Sequence, residues 1–184
     1  MIRAIEDFTL PRIGDADSLY EIVNGEYMEK VTSAYENVLA GDLFGYIRLW
    51  AGANDAGRAT VEVMFDLPDQ NHDLRPDVAF VSFDRWPRER GIPRTNAWAV
   101  VPDLAVEVVS PNDDMRTVVE RVGVYFDAGV RSVWLVVPGR DLVYIHSSLT
   151  GVRVLSRGDH VTDPVVPGFR LPLADLFPPP DAPV

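Results

Sequence analysis

Pro102–Pro111 reads PDLAVEVVSP, and its middle, Leu104-Ala105-Val106-Glu107-Val108-Val109, is an apolar run interrupted by one carboxylate. β-Branched residues at this density predict a strand covered on both faces, where a solvated Glu has no natural place. Moving an unpaired carboxylate out of water costs several kcal/mol, so such a group neutralises or finds a cation. What compensates Glu107 decides how this part of the chain is read.

A second stretch has the same character. Arg75–Val81, RPDVAFV, places Asp77 at the mouth of another apolar run. Neighbouring strands lie ~4.8 Å apart, so two carboxylates on one face of adjacent strands can share an ion. Oxygen ligands with no thiolate and no paired His favour Mg²⁺ or Mn²⁺ over Zn²⁺. The alternative is that each acid pairs with an arginine, such as Arg75 or Arg121. The residues alone leave both open.

The surrounding pattern supplies the scaffold. Leu19–Val31 reads as two short strands about Asn24-Gly25, the favoured pair for a type I′ hairpin. Ser33-Ala-Tyr-Glu36 matches a capping box, and Leu39, Leu43, Ile47 and Trp50 continue it as a helix to about Trp50, with Gly52–Gly57 as the break. Strands are predicted at Ala59–Phe65, Asp77–Phe83 and Leu104–Val109. A second helix follows from about Asp113 to Ala128, stopped by Gly129. Strands at Ser132–Val137, Asp141–His146 and Val152–Ser156 complete the series, the last two as a hairpin. This order predicts an α/β (α+β) sandwich with a mixed central β-sheet flanked by helices. One domain is expected over residues 1–178, with a Pro-rich tail at 179–184.

Composition narrows the function classes. The 184 residues are 47 % hydrophobic and 24 % charged, ordinary globular values. With no cysteine, a disulfide framework and a thiolate metal site are both excluded. No apolar run approaches the ~18 residues of a membrane span, and MIRAIEDFTLPRIG lacks the features of a leader. A soluble, cytoplasmic protein is expected. The net charge of −11 argues against a broad basic footprint. Sixteen of the seventeen cations are arginine, and Lys30 is the sole lysine. One loop, Asp84–Trp98, is locally basic: Arg85, Arg88, Arg90 and Arg94 stand against Asp84 and Glu89. With Trp86 and Trp98 it could contact DNA phosphates and stack on bases, or it could pack through its tryptophans or against a partner. His72, His146 and His160 are isolated and show no metal-ligand spacing.

The succession RPDVAFV, PDLAVEVVSP, a helix ending in RVGVYFDAGV, and VWLVVP resembles the Uma-two family of bacterial endonucleases. That family belongs to the PD-(D/E)XK restriction-endonuclease-like superfamily, and the likeness extends from about Tyr20 to Phe177. It implies a restriction-endonuclease-like core, hydrolysis of DNA phosphodiester bonds with Mg²⁺ (or Mn²⁺), and a tendency to form a homodimer. The tryptophan-rich loop and the apolar C-terminal segment would offer the surface for pairing.

Carried over by position, Asp77 and Glu107 become the metal-binding acids, and Glu26 of Asn24-Gly25-Glu26 a further acid. The superfamily's lysine would stand at Val109. Members of this family bring a lysine from the following helix instead, and the matching residue here is Arg121. Arginine stays protonated, so it can position and stabilise charge but cannot deprotonate water. Lys30 is either a spatial substitute or a solvated side chain. Glu36 stands where relatives carry His, but its capping role already accounts for it. The missing lysine and the acidic surface favour a rival reading, a nuclease fold kept as a noncatalytic binding or assembly module.

Overall fold

A computed structural model describes residues 19–23, 25–30, 33–67, 73–110 and 113–177. In chain order the elements are β1 (Leu19–Val23), β2 (Glu26–Lys30), α1 (Ala34–Ala53), β3 (Gly57–Val61), β4 (Phe65–Asp66), β5 (Asp73–Leu74) and β6 (Val78–Ser82). These are followed by β7 (Leu104–Val108), α2 (Met115–Ala128), β8 (Ser132–Val137), β9 (Leu142–His146), β10 (Val152–Ser156), β11 (His160–Asp163), β12 (Val166–Pro172) and α3 (Leu173–Leu176).

The central sheet has six strands in the order β10-β9-β8-β7-β6-β3. Only β7 and β8 run parallel, and α2 makes the crossover that a parallel pair requires. A smaller sheet, β2-β1-β5-β4, adjoins it, and β11 pairs with β12. Among the described residues no helix is long and apolar enough to cross a membrane.

Side-chain alternation divides the central sheet between two cores. Val78, Phe80, Leu104, Val106 and Val108 pack with Leu39, Leu43 and Ile47 of α1. Ala79, Val81, Ala105 and Val109 pack with Val118, Val122 and Tyr125 of α2. The apolar run around Glu107 is therefore covered on both faces, as its composition predicts.

Local signals explain the helix ends. The capping box at Ser33 is formed: Ser33 N donates to Glu36 Oε2 at 2.7 Å, and Glu36 N to Ser33 Oγ at 3.4 Å. The helix continues past Trp50 through Gly52, since one glycine costs only about 1 kcal/mol in a helix. Its end comes at Asn54, followed by Asp55 at φ +51°. Asp114 caps α2 by accepting from Arg116 N, and Gly129 ends it in the left-handed conformation at φ +96°.

One expectation changes, and one open alternative is decided. The strand expected over Ala59–Phe65 is two pieces, because Glu62 takes φ +51° and turns the chain out of the central sheet after Val61. The tryptophans of the basic loop face inward: Trp86 and Trp98 lie edge to face at 5.5 Å within the α2-side core. Leu173, Leu176 and Phe177 fill the α1-side core. These tryptophans and C-terminal apolar side chains are thus used by the chain's own core. The tail at 179–184 and His72 lie outside the described residues.

Candidate active site

The ladder between β6 and β7 pairs Val78 with Val106. Continued by one residue it sets Asp77 opposite Glu107, and alternation sends both towards α2. Asp77 Oδ2 accepts a hydrogen bond from Val108 N at 2.6 Å, tying the first acid to the strand of the second. Both carboxylates are buried.

Helix α2 supplies the groups that meet Glu107. Tyr125 Oη donates to Glu107 Oε1 at 2.6 Å, and Arg121 Nη1 donates to Oε2 at 3.3 Å. Four residues apart, Arg121 and Tyr125 share one helix face. A second guanidinium nitrogen, Arg121 Nη2, donates to Glu21 Oε2 at 2.7 Å. Glu21 belongs to β1 and is buried, and its Oε1 accepts from Arg75 N at 3.0 Å. Arg75 Nη1 then donates to the carbonyl of Glu62 at 2.7 Å.

Of the residues expected in the site, Asp77, Glu107 and Arg121 come together. Glu26 opens β2 opposite Val23. The side chains of Glu26 and Lys30 lie outside the described part. Glu21 was not foreseen, although Leu19-Tyr-Glu-Ile-Val23 has the same signal as the Glu107 strand, one acid among apolar strand residues.

The arginines of the basic loop lie elsewhere. Arg85 Nε pairs with Asp103 at 3.0 Å, and its other nitrogens donate to the carbonyls of Val101, Pro102 and Gly129. Asp103 precedes β7, so this knot sits four residues, about 13 Å, from Glu107 along the strand. Arg88 pairs with Asp55 and lies over the Phe83 ring at 4.6 Å. Arg90 lies over Trp86 at 3.9 Å. Arg94 is exposed.

A family model, Uma2, described as "Putative restriction endonuclease", matches residues 5–174. The chain belongs to the Uma2 family. A crystal structure of "a putative nuclease belonging to DUF820" from Anabaena variabilis ATCC 29413 is similar, with a TM-score of 0.75 and 21 % identity. The match covers 86 % of this chain and 89 % of that one. At that identity the likeness is one of fold. No curated protein matches.

In this Uma2 chain the guanidinium of Arg121 bridges two buried acids. Its pKa is raised above the ordinary value, chiefly by the charge of Glu107 and further by Glu21, against the opposing effect of burial. Tyr125 is pushed well above the usual phenol range, first by burial and then by Glu107. Arg121 is therefore a fixed cation, and Tyr125 a fixed donor, at physiological pH.

Glu21, Asp77 and Glu107 do not form a ready cage. Among the described residues no three His, Cys, Asp or Glu side chains are gathered to hold a metal. Asp77 and Glu107 nevertheless fit a Mg²⁺ or Mn²⁺ ion in kind. Such ions take hard oxygen donors and commonly use only one or two carboxylates, with water and substrate phosphate completing the shell.

Proposed function

We propose that this protein is a metal-dependent nuclease that hydrolyses DNA phosphodiester bonds at a PD-(D/E)XK-like site. The observation that carries this reading is the convergence of Asp77, Glu107 and Glu21 at one end of the sheet, with Arg121 linking the two glutamates. Asp77 and Glu107 would hold Mg²⁺ or Mn²⁺, which when bound makes a coordinated water more acidic and offsets phosphate charge.

The protein's own groups have separable roles. Val108 N fixes the Asp77 carboxylate, and Tyr125 fixes that of Glu107. Arg121 cannot accept a proton, so the proton of the attacking water has to pass to a carboxylate or to solvent. The guanidinium instead stabilises negative charge growing on the phosphate oxygens as the new P–O bond forms and the ester bond breaks. Glu21 holds Arg121 in place from the side away from Glu107.

A second reading is supported by the same contacts. Arg121 already compensates Glu107 and Glu21 within the chain, as a nuclease fold retained only for binding or assembly would require. Cleavage of plasmid DNA by pure protein with millimolar Mg²⁺ or Mn²⁺ separates the two. The nuclease reading expects cleavage that chelator abolishes and that Glu107→Gln eliminates while the variant still melts cooperatively. Wild-type protein that neither cuts nor gains thermal stability from metal leaves only the binding module.

A further inference from the structure

Beside the acid centre, along the open edge of β3, runs a groove of about 730 Å³. Phe44 and Arg48 of α1 line one side, and Ile92, Pro93 and Trp98 line the other. Its floor is β3, an edge strand of the central sheet. The groove begins at the site already described. Glu62 and Arg75 line it, and Glu62 N donates to Asp77 O at 3.2 Å. That end of the groove is thus hydrogen-bonded to the backbone of the first acid, one strand spacing, ~4.8 Å, away.

We propose that this groove receives a single-stranded segment of nucleic acid, continuous with the strand held at the acid centre. The proposal rests on the nuclease reading for its direction but on separate residues for its chemistry. Arg48, Arg58 and Arg75 line the groove, against Glu62 as the one acid among its lining residues. This concentration of cations stands out in a chain of net charge −11.

Two of those cations keep their charge available. Arg58 is held by the carbonyl of Arg88 at 3.1 Å and by the Phe83 ring at 4.9 Å, neither of which neutralises it. Arg48 lies 5.8 Å from the Phe44 ring centre. Among the described residues neither forms an ion pair with a carboxylate.

The walls are apolar and aromatic, and Ile92 stands 70 % exposed at the rim. Phe44 is half-buried and offers a ring to the groove, while Trp98 is buried behind the wall. Cations beside aromatic and apolar walls suit a strand whose phosphates meet arginine while its bases meet the walls. The volume is that of a small-molecule cleft, so it takes unpaired nucleotides rather than a double helix. This points to strand ends, flaps or single-stranded stretches as the substrate class. An extended peptide adding to the β3 edge is the competing occupant.

The test uses fluorescence anisotropy with a labelled single-stranded oligothymidylate, the matching duplex and an acidic peptide, all without divalent metal. Wild-type protein is expected to bind the single strand at least tenfold more tightly than the duplex or the peptide. R48E/R58E should lose that preference, whereas Arg48→Ala, an exposed change, should weaken single-strand binding severalfold with an unchanged melting temperature. Tightest binding of duplex or peptide, or equal single-strand binding by wild type and both variants, overturns the proposal. Glu107→Gln keeps the two readings apart: it should abolish cleavage and retain single-strand binding. Cleavage of duplex that is indifferent to R48E/R58E would keep the nuclease and remove the groove. Single-strand binding without any cleavage would do the opposite.

Discussion

Two buried acids, one just before β7 and one within it, are held by arginine in different ways. At the start of β7, Asp103 accepts from Arg85 at 3.0 Å, from Arg131 at 3.2 Å and from Ser82 N at 2.8 Å. One carboxylate there meets two guanidiniums. At the other end, among the described residues, Glu107 and Glu21 share the guanidinium of Arg121, and Asp77 is held beside them by Val108 N. The first arrangement fastens the Arg85 loop to the sheet and leaves no deficit of positive charge. The second spreads one guanidinium over two carboxylates, and on the nuclease reading a divalent ion would add positive charge there. Proximity of Arg to acid is common to both; what differs is how the guanidinium is shared.

The sharpest way to break this contrast is Asp103→Ala. It strands a buried backbone N–H and the Arg85 guanidinium, and should cost about 3–5 kcal/mol, read by urea unfolding, with no influence of metal. Arg131 contributes little of this, being more than half exposed. Were the loss below ~1 kcal/mol, Asp103 would not be the fastening point described.

A smaller effect is expected from Arg121→Ala. Two buried carboxylates lose their shared cation, so the metal-free protein should be destabilised by about 1–3 kcal/mol. Millimolar Mn²⁺ should recover much of that loss. A variant whose melting temperature ignores Mn²⁺ would place Arg121 in the same class as Arg85, a structural partner only.

Next comes metal added to wild-type protein. At ten times Kd, binding to the folded state alone stabilises by about 1.4 kcal/mol. In a chain of this size that is a rise in Tm of roughly 3–6 °C, visible by differential scanning calorimetry. Asp103→Ala should show the same increment, and Glu107→Gln none.

The last effect concerns alkaline pH. Tyr125 has a folded-state pKa above its unfolded value near 10, so the stability it contributes is complete below pH ~10. That contribution is lost as pH rises from ~10 through the folded value, because the unfolded chain releases the proton first. Tyr125→Phe should be less stable at neutral pH, by about 1.5–3 kcal/mol for a bond to a charged acceptor. The gap to wild type should narrow above pH 10 in thermal melts. A constant gap would mean that Tyr125 acts through packing alone.

Much of this was legible in the residues themselves. Apolar strands with embedded acids located Asp77 and Glu107, and the family likeness pointed to Arg121 on the following helix. The capping box and Gly129 set two helix ends because these signals act over four residues or fewer. What escaped depends on contacts distant in sequence. Glu21 reaches Arg121 across 100 positions, and nothing in Leu19–Val23 says which strand lies beside it. The inward turn of Trp86 and Trp98 rests on a core that includes Phe65 and Val81. Glu62 in the left-handed region is a conformation that its residue type does not announce.

Val109, two residues beyond Glu107, is buried in the core that α2 covers. A lysine there would have to thread charge through packed valines. Because the cation arrives instead on α2, a point change at position 121 exchanges one charged head for another and leaves the sheet untouched. Arg121→Lys would supply a group able to exchange a proton without disturbing a single strand. On the nuclease reading, one codon at position 121 therefore tunes the charged group facing the acids while the architecture stays as it is.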